Sequence, residues 1–180
     1  MKKLLVRLPD SQNVLYVYAT AVFLVYGWTL VASFWKVPSW LFYLTLGEVL
    51  SIYSYSFVVN FLESVLLMLP LLVIAFILPE RFWRRHFTSY GIVWVLCVAG
   101  SMMVSLYTMR TPNVWNQFVH SQTAWWSGTA LLMIALGFVV SHISWLETVI
   151  TQLADRLVVF LYVYLPLTAI SFVVLAVRIL

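Results

Sequence analysis

"SWLFYLTLGEVLSIYSYSFVVNFLESVLLMLPLLVIAFIL", residues 39–78, is a run of 40 almost entirely apolar or aromatic residues. As one straight helix rising 1.5 Å per residue it would extend ~60 Å, about twice the hydrocarbon thickness of a bilayer. Something must break it. Its first half contains Gly47, Glu48 and the segment SIYSYS, residues 51–56, and SIYSYS has no Gly, Pro or Asn with which to turn back inside a membrane. The reading that satisfies both points is a short interfacial or re-entrant helix over about 38–47, rich in Trp40, Phe42 and Tyr43, then one tilted span over about 52–78. One crossing here, rather than two, makes the total odd.

The rest of the chain supplies four more apolar stretches, over about 14–35, 88–109, 123–144 and 157–179. The first, 22 residues long, covers ~33 Å, enough to cross. Pro166 predicts a kink in the last. Only 9% of residues are charged, 64% are hydrophobic and the mean hydropathy is +1.00; soluble domains carry about a quarter charged residues. A soluble helical fold is excluded, because its outer helices would need polar faces that no segment provides. The expected fold is all-α: a multi-pass transmembrane helical bundle, one integral membrane domain over 1–180, with about five spans plus short interfacial helices.

Two of those interfacial helices are read from the connections. TPNVWNQFVHS, residues 111–121, opens with Thr111 and Pro112 as N-cap and first helical residue, and sets Val114, Trp115, Phe118 and Val119 opposite Asn116, Gln117 and His120. This predicts an amphipathic helix over about 112–120. SWLETVITQLADR, residues 144–156, starts with a capping-box pair, Ser144 and Glu147, and predicts another over about 144–155. The opening MKKLLVRLPDSQN lacks the apolar run directly after its charges and the small-residue exit of a cleavable signal, so it reads as a retained basic segment.

Charge placement predicts orientation. With the N-terminus cytoplasmic, Lys2, Lys3, Arg7, Arg81, Arg84, Arg85 and Arg156 lie inside, and only Lys36, Arg110 and Arg178 outside. The C-terminus is then extracytoplasmic, in what reads as a bacterial-type plasma membrane. Tryptophans 35, 40, 83, 115, 125, 126 and 145 fall near span ends, as interfacial belts do. This layout, five spans with an amphipathic helix after the third, resembles the membrane domains that precede sulfatase-fold enzymes of the lipoteichoic-acid synthase type; it is a likeness of topology, without a shared motif.

Several chemistries are not indicated. The net charge of +4 is carried by scattered residues that suit membrane orientation, so no nucleic-acid partner is expected. The single cysteine, Cys97, cannot make an internal disulfide, a C-x-x-C pair or a thiolate zinc cage. His86, His120 and His142 show no metal-ligand spacing, and no metal or cofactor is expected. G-x-S-x-G, Walker and paired-acid motifs are absent, so the residues name no enzyme class. The basic RFWRRHF, residues 81–87, can attract anionic headgroups, as inner loops generally do.

One polar constellation remains. Tyr53, Ser56, Asn60, Glu63, Leu67 and Pro70 recur at helical three- and four-residue steps, so the polar members share a stripe. A charge facing lipid costs ~2.5–3.5 kcal/mol on insertion scales, so the stripe is expected to face other helices or a cavity. At similar depth lie Tyr26, Thr29, Ser101, Ser105, Ser127 and Thr129, with Arg110 and His120 above. The expected site is an outward-opening pocket of Glu63, Asn60, Tyr26, Ser101, Ser105, Arg110 and His120, with Arg110 as counter-charge for Glu63 or Glu48. The plainer reading is that these groups only join helices, each contact contributing under ~2 kcal/mol. Cys97, Ser101 and Ser105, spaced by four, form a small-residue stripe that admits a close neighbour, internal or from a second subunit.

The function that fits these features is a non-catalytic accessory or structural subunit of a membrane complex, in contact with the lipid bilayer and with a protein partner or further copies of itself. The alternatives are a lipid- or small-solute-binding or transport component using the Glu63 pocket, and a membrane enzyme acting on a lipid-linked substrate.

Overall fold

The computed structural model describes the backbone of residues 9–77, 86–108 and 115–179, and the side chains of these residues outside 107–121 and 179. Six helices occupy them: α1 Ser11–Phe34, α2 Val37–Tyr43, α3 Leu46–Ile77, α4 Phe87–Thr108, α5 Trp115–His142 and α6 Ser144–Ile179. No strand occurs among the described residues. All but α2 are long and apolar enough to cross a bilayer, so the chain is an all-α, five-span helical bundle.

The break required between residues 39 and 78 lies at Leu44 and Thr45. Leu44 is extended, with φ −117° and ψ 145°. Thr45 and Glu48 then cap α3 reciprocally: Glu48 N–H donates to Thr45 Oγ1 (3.4 Å), and Thr45 N–H donates to Glu48 Oε2 (2.7 Å). This is a capping box. SIYSYS lies within α3, where Ser51 and Ser56 donate to the carbonyls of Gly47 and Ile52. At 32 residues, α3 is ~48 Å long and must tilt or project beyond the hydrocarbon.

The structure departs from the sequence reading at two joins. Of the segments expected as separate interfacial helices over 112–120 and 144–155, the described part of the first, from Trp115, and the second are continuous with the spans that follow, forming α5 and α6. Neither 115–127 nor 145–165 contains a Gly or Pro. A break without a cap would leave backbone groups unpaired, so the helix propagates. Glu147, the second member of the expected capping box, sends its carboxylate to α4 instead: Oε1 contacts His86 Nδ1 at 2.9 Å and accepts from Ser89 Oγ at 3.5 Å.

The central helix is α1. It packs against α3, α4 and α6, while α5 packs chiefly on α4. Small and β-branched residues make this possible: Val17, Ala19, Ala21, Val22 and Val25 are buried on more than one side of α1. Val17 and Ala21 join Met68, Leu71 and Ala75 of α3 with Phe87, Ile92 and Val95 of α4 in one core. A second core sets Ala19, Val22, Val25 and Tyr26 against Leu161 and Tyr164 of α6. Helix α5 is peripheral, with 11% of its apolar window buried.

Candidate functional site

Helices α3 and α4 meet only at one end. Met68, Leu71 and Ala75 touch the start of α4 through the shared core, but the two helices make few contacts elsewhere. Beyond that core they separate, and α1 closes the space behind them with Val25, Trp28 and Thr29. The result is a cleft of about 390 Å³. Glu63, Leu66, Leu67 and Pro70 line it from α3, and Trp94, Val98, Ala99, Met102, Met103 and Leu106 from α4. The distance from Trp94 to Leu106 along α4 is ~18 Å.

The walls are apolar, which isolates the few polar groups. Glu63 is exposed in the cleft and makes no hydrogen bond or ion pair with a described residue. Two turns on in the same wall, Pro70 has no N–H to donate to the Leu66 carbonyl four residues before it. Asn60 is buried, and its Oδ1 accepts from the Thr29 hydroxyl at 2.9 Å, while its Nδ2 is buried without a partner. Turning the amide over exchanges which end is left alone but still leaves one. Across the cleft, Trp94 Nε1 is also buried without a partner. Buried polar groups are nearly always hydrogen-bonded, so this concentration around one cleft marks the site.

The other residues of the expected pocket lie elsewhere. Tyr26 turns away from the cleft; its hydroxyl bonds Thr168 Oγ1 at 2.6 Å and donates to the Phe57 carbonyl at 3.1 Å. Ser101 faces α5, where it bonds Thr129 Oγ1 at 2.9 Å and accepts from Trp125 Nε1 at 2.6 Å. Ser105 accepts from Gln122 Nε2 at 3.3 Å. Arg110 and the His120 side chain lie outside the described residues. The structure therefore places Glu63 in the cleft and Asn60 behind its wall, bonded to Thr29, and separates Tyr26, Ser101 and Ser105 from them. Ser101 and Ser105 of the small-residue stripe face an internal neighbour, α5, and Cys97 packs with Val93 and Val140.

Trp94 and Thr29 complete the cleft and were not among the expected site residues. Trp94 carried a readable signal, because it lies mid-span, away from the interfacial belts, and a buried indole N–H needs an acceptor. The two histidines with described side chains make structural contacts: His86 meets Glu147, and His142 Nδ1 donates to the Phe138 carbonyl at 2.8 Å. Among the described residues no three His, Cys, Asp or Glu side chains converge as a metal site would require.

Fold and cleft together define a class: a multi-pass helical membrane protein with an acid-bearing cleft between three spans. No family model, curated protein or solved structure matches the chain.

Proposed function

We propose that the chain is a membrane-integral binding protein for an amphiphile, held in the cleft between α1, α3 and α4. The observation that carries this reading is Glu63: a carboxylate in an apolar cleft with no partner among the described residues. A carboxylate so placed calls for a ligand that donates, such as an amine or hydroxyl, and the ~18 Å apolar wall of α4 suits an attached hydrocarbon chain. The lining comes from three membrane-spanning helices, which places the cleft where a bilayer molecule resides. No nucleophile–base pair adjoins Glu63 among the described residues, which favours binding over chemistry.

The test is retention of native amphiphile through purification in mild detergent, read by mass spectrometry of the extract. Wild type is expected to retain a defined species. Glu63→Leu should lower its occupancy roughly tenfold, as loss of a charged hydrogen bond does. Met102→Trp, which fills the cleft from the α4 wall and leaves the Glu63 carboxylate in place, should expel it as well. Equal retention by all three proteins would sink the proposal.

A second reading, an accessory subunit of a membrane complex, draws on α5, whose Leu131, Ile134 and Phe138 point away from the bundle. The same purification separates the two: a stoichiometric protein partner with no retained amphiphile favours the subunit. For orientation, the basic asymmetry predicts a cytoplasmic N-terminus and an extracytoplasmic C-terminus; reporter fusions placing both ends on one side would contradict it.

A further inference from the structure

A second cavity lies nearer the start of α3 than the cleft does. We propose that the groove between the first turns of α3 and the last turn of α6 binds a zwitterionic phospholipid headgroup, with its ammonium at Glu48 and its phosphate at Arg178. Helices α3 and α6 pack together in opposite directions, so the start of one and the end of the other share one face of the bundle. Both are spanning helices, and their ends lie at headgroup depth. The groove, about 490 Å³, is lined by Glu48, Ser51, Ile52, Tyr55, Leu175 and Arg178.

The two charges are opposite and act on each other across the groove, yet they form no ion pair. Each has capacity left over. Glu48 Oε2 accepts from both the N–H and the hydroxyl of Thr45, at 2.7 and 2.9 Å, which holds the carboxylate still and leaves Oε1 open. Arg178 has five N–H donors in a planar fork suited to phosphate, none bonded to a described residue. Tyr55 is 64% exposed and lines the same groove, offering an aromatic face to an ammonium group. Ile52 and Leu175 give the apolar base that a lipid's glycerol and first methylenes need. An anionic lipid would satisfy Arg178 but leave Glu48 facing negative charge. The arrangement thus selects a headgroup carrying both signs.

The experiment is native mass spectrometry of the purified full chain with phosphatidylethanolamine and phosphatidylglycerol of identical acyl chains. Wild type is expected to retain phosphatidylethanolamine about fivefold over phosphatidylglycerol, the ratio that one semi-exposed charge contact produces. Glu48→Gln, which keeps the helix cap, should bring the two lipids to parity. Arg178→Gln should lower retention of both, and Arg178→Lys should restore part of it. Soluble inorganic phosphate should not displace the lipid; displacement by it would show a free-phosphate site and overturn the lipid assignment. Equal retention of the two lipids by wild type, or a preference unchanged by Glu48→Gln and Arg178→Gln, would overturn the site altogether.

Discussion

Tyr26→Ala is expected to destabilise the bundle by about 3–5 kcal/mol, the range for emptying an aromatic site in a packed core. Tyr26 is 1% exposed and lies at the junction of α1, α3 and α6. Its ring stacks between Phe57 of α3 (centroids 5.6 Å apart, planes at 25°) and Tyr164 of α6 (4.8 Å, 28°). Its hydroxyl then ties Thr168 of α6 and the Phe57 carbonyl of α3 into one polar contact. In a bilayer the association of helices depends on packing and hydrogen bonds rather than on escape from water. A cavity shared by three helices is therefore felt in full. Tyr26→Phe keeps the ring and loses only the hydroxyl. It should cost about 1 kcal/mol, because Thr168 still donates to the Tyr164 carbonyl at 2.8 Å. Reversible unfolding in mixed micelles, followed by tryptophan fluorescence, checks both values. A Tyr26→Ala protein as stable as wild type would mean that these three helices do not meet as described.

The second large effect is expected at Gly91, where α4 crosses α1. A Cβ placed there would lie 2.7 and 3.0 Å from the two methyl groups of Val17. Real Cβ atoms do not approach so closely, and valine in a helix has essentially one rotamer, so Val17 cannot turn aside. The helices must separate. Gly91→Ala should cost about 1–3 kcal/mol as overpacking, and Gly91→Leu should block assembly of α4 on α1. Because α1 closes the cleft behind α3 and α4, the same change should also reduce amphiphile retention. A double-mutant cycle gives the sharper result: Val17→Ala removes both offending methyls and should recover much of the loss in Gly91→Ala. Strict additivity of the two changes, measured by the same unfolding, would show that the close approach is not the cause.

The number and class of the spans were legible in the primary structure, because hydrocarbon thickness is a local constraint. A 40-residue apolar run cannot cross once without a break, and Leu44–Thr45 supplies it within the segment where one was needed. The capping box that makes the break, Thr45 with Glu48, has a local signature that the Ser144–Glu147 pair shares. Only the second was singled out, and there the fold sends Glu147 to His86 instead. Spacing alone could not decide which acid caps its own helix and which reaches another.

Helical periodicity placed Asn60 and Glu63 on one stripe and required that the stripe find something other than bare lipid. It could not say which neighbours share that space. Depth along the membrane put Tyr26, Ser101 and Ser105 level with Glu63, but depth is one coordinate of three. The remaining two are set by rotation about each helix axis and by the order of helices around α1, and both follow from tertiary packing. Ala19, Ala21 and Gly91 let α1 take the centre; Tyr26 then turns to α6 and Ser101 to α5. The cleft that isolates Glu63 with Trp94 exists because α3 and α4 touch at one end only, a consequence of contacts between residues far apart in the chain that no local pattern records.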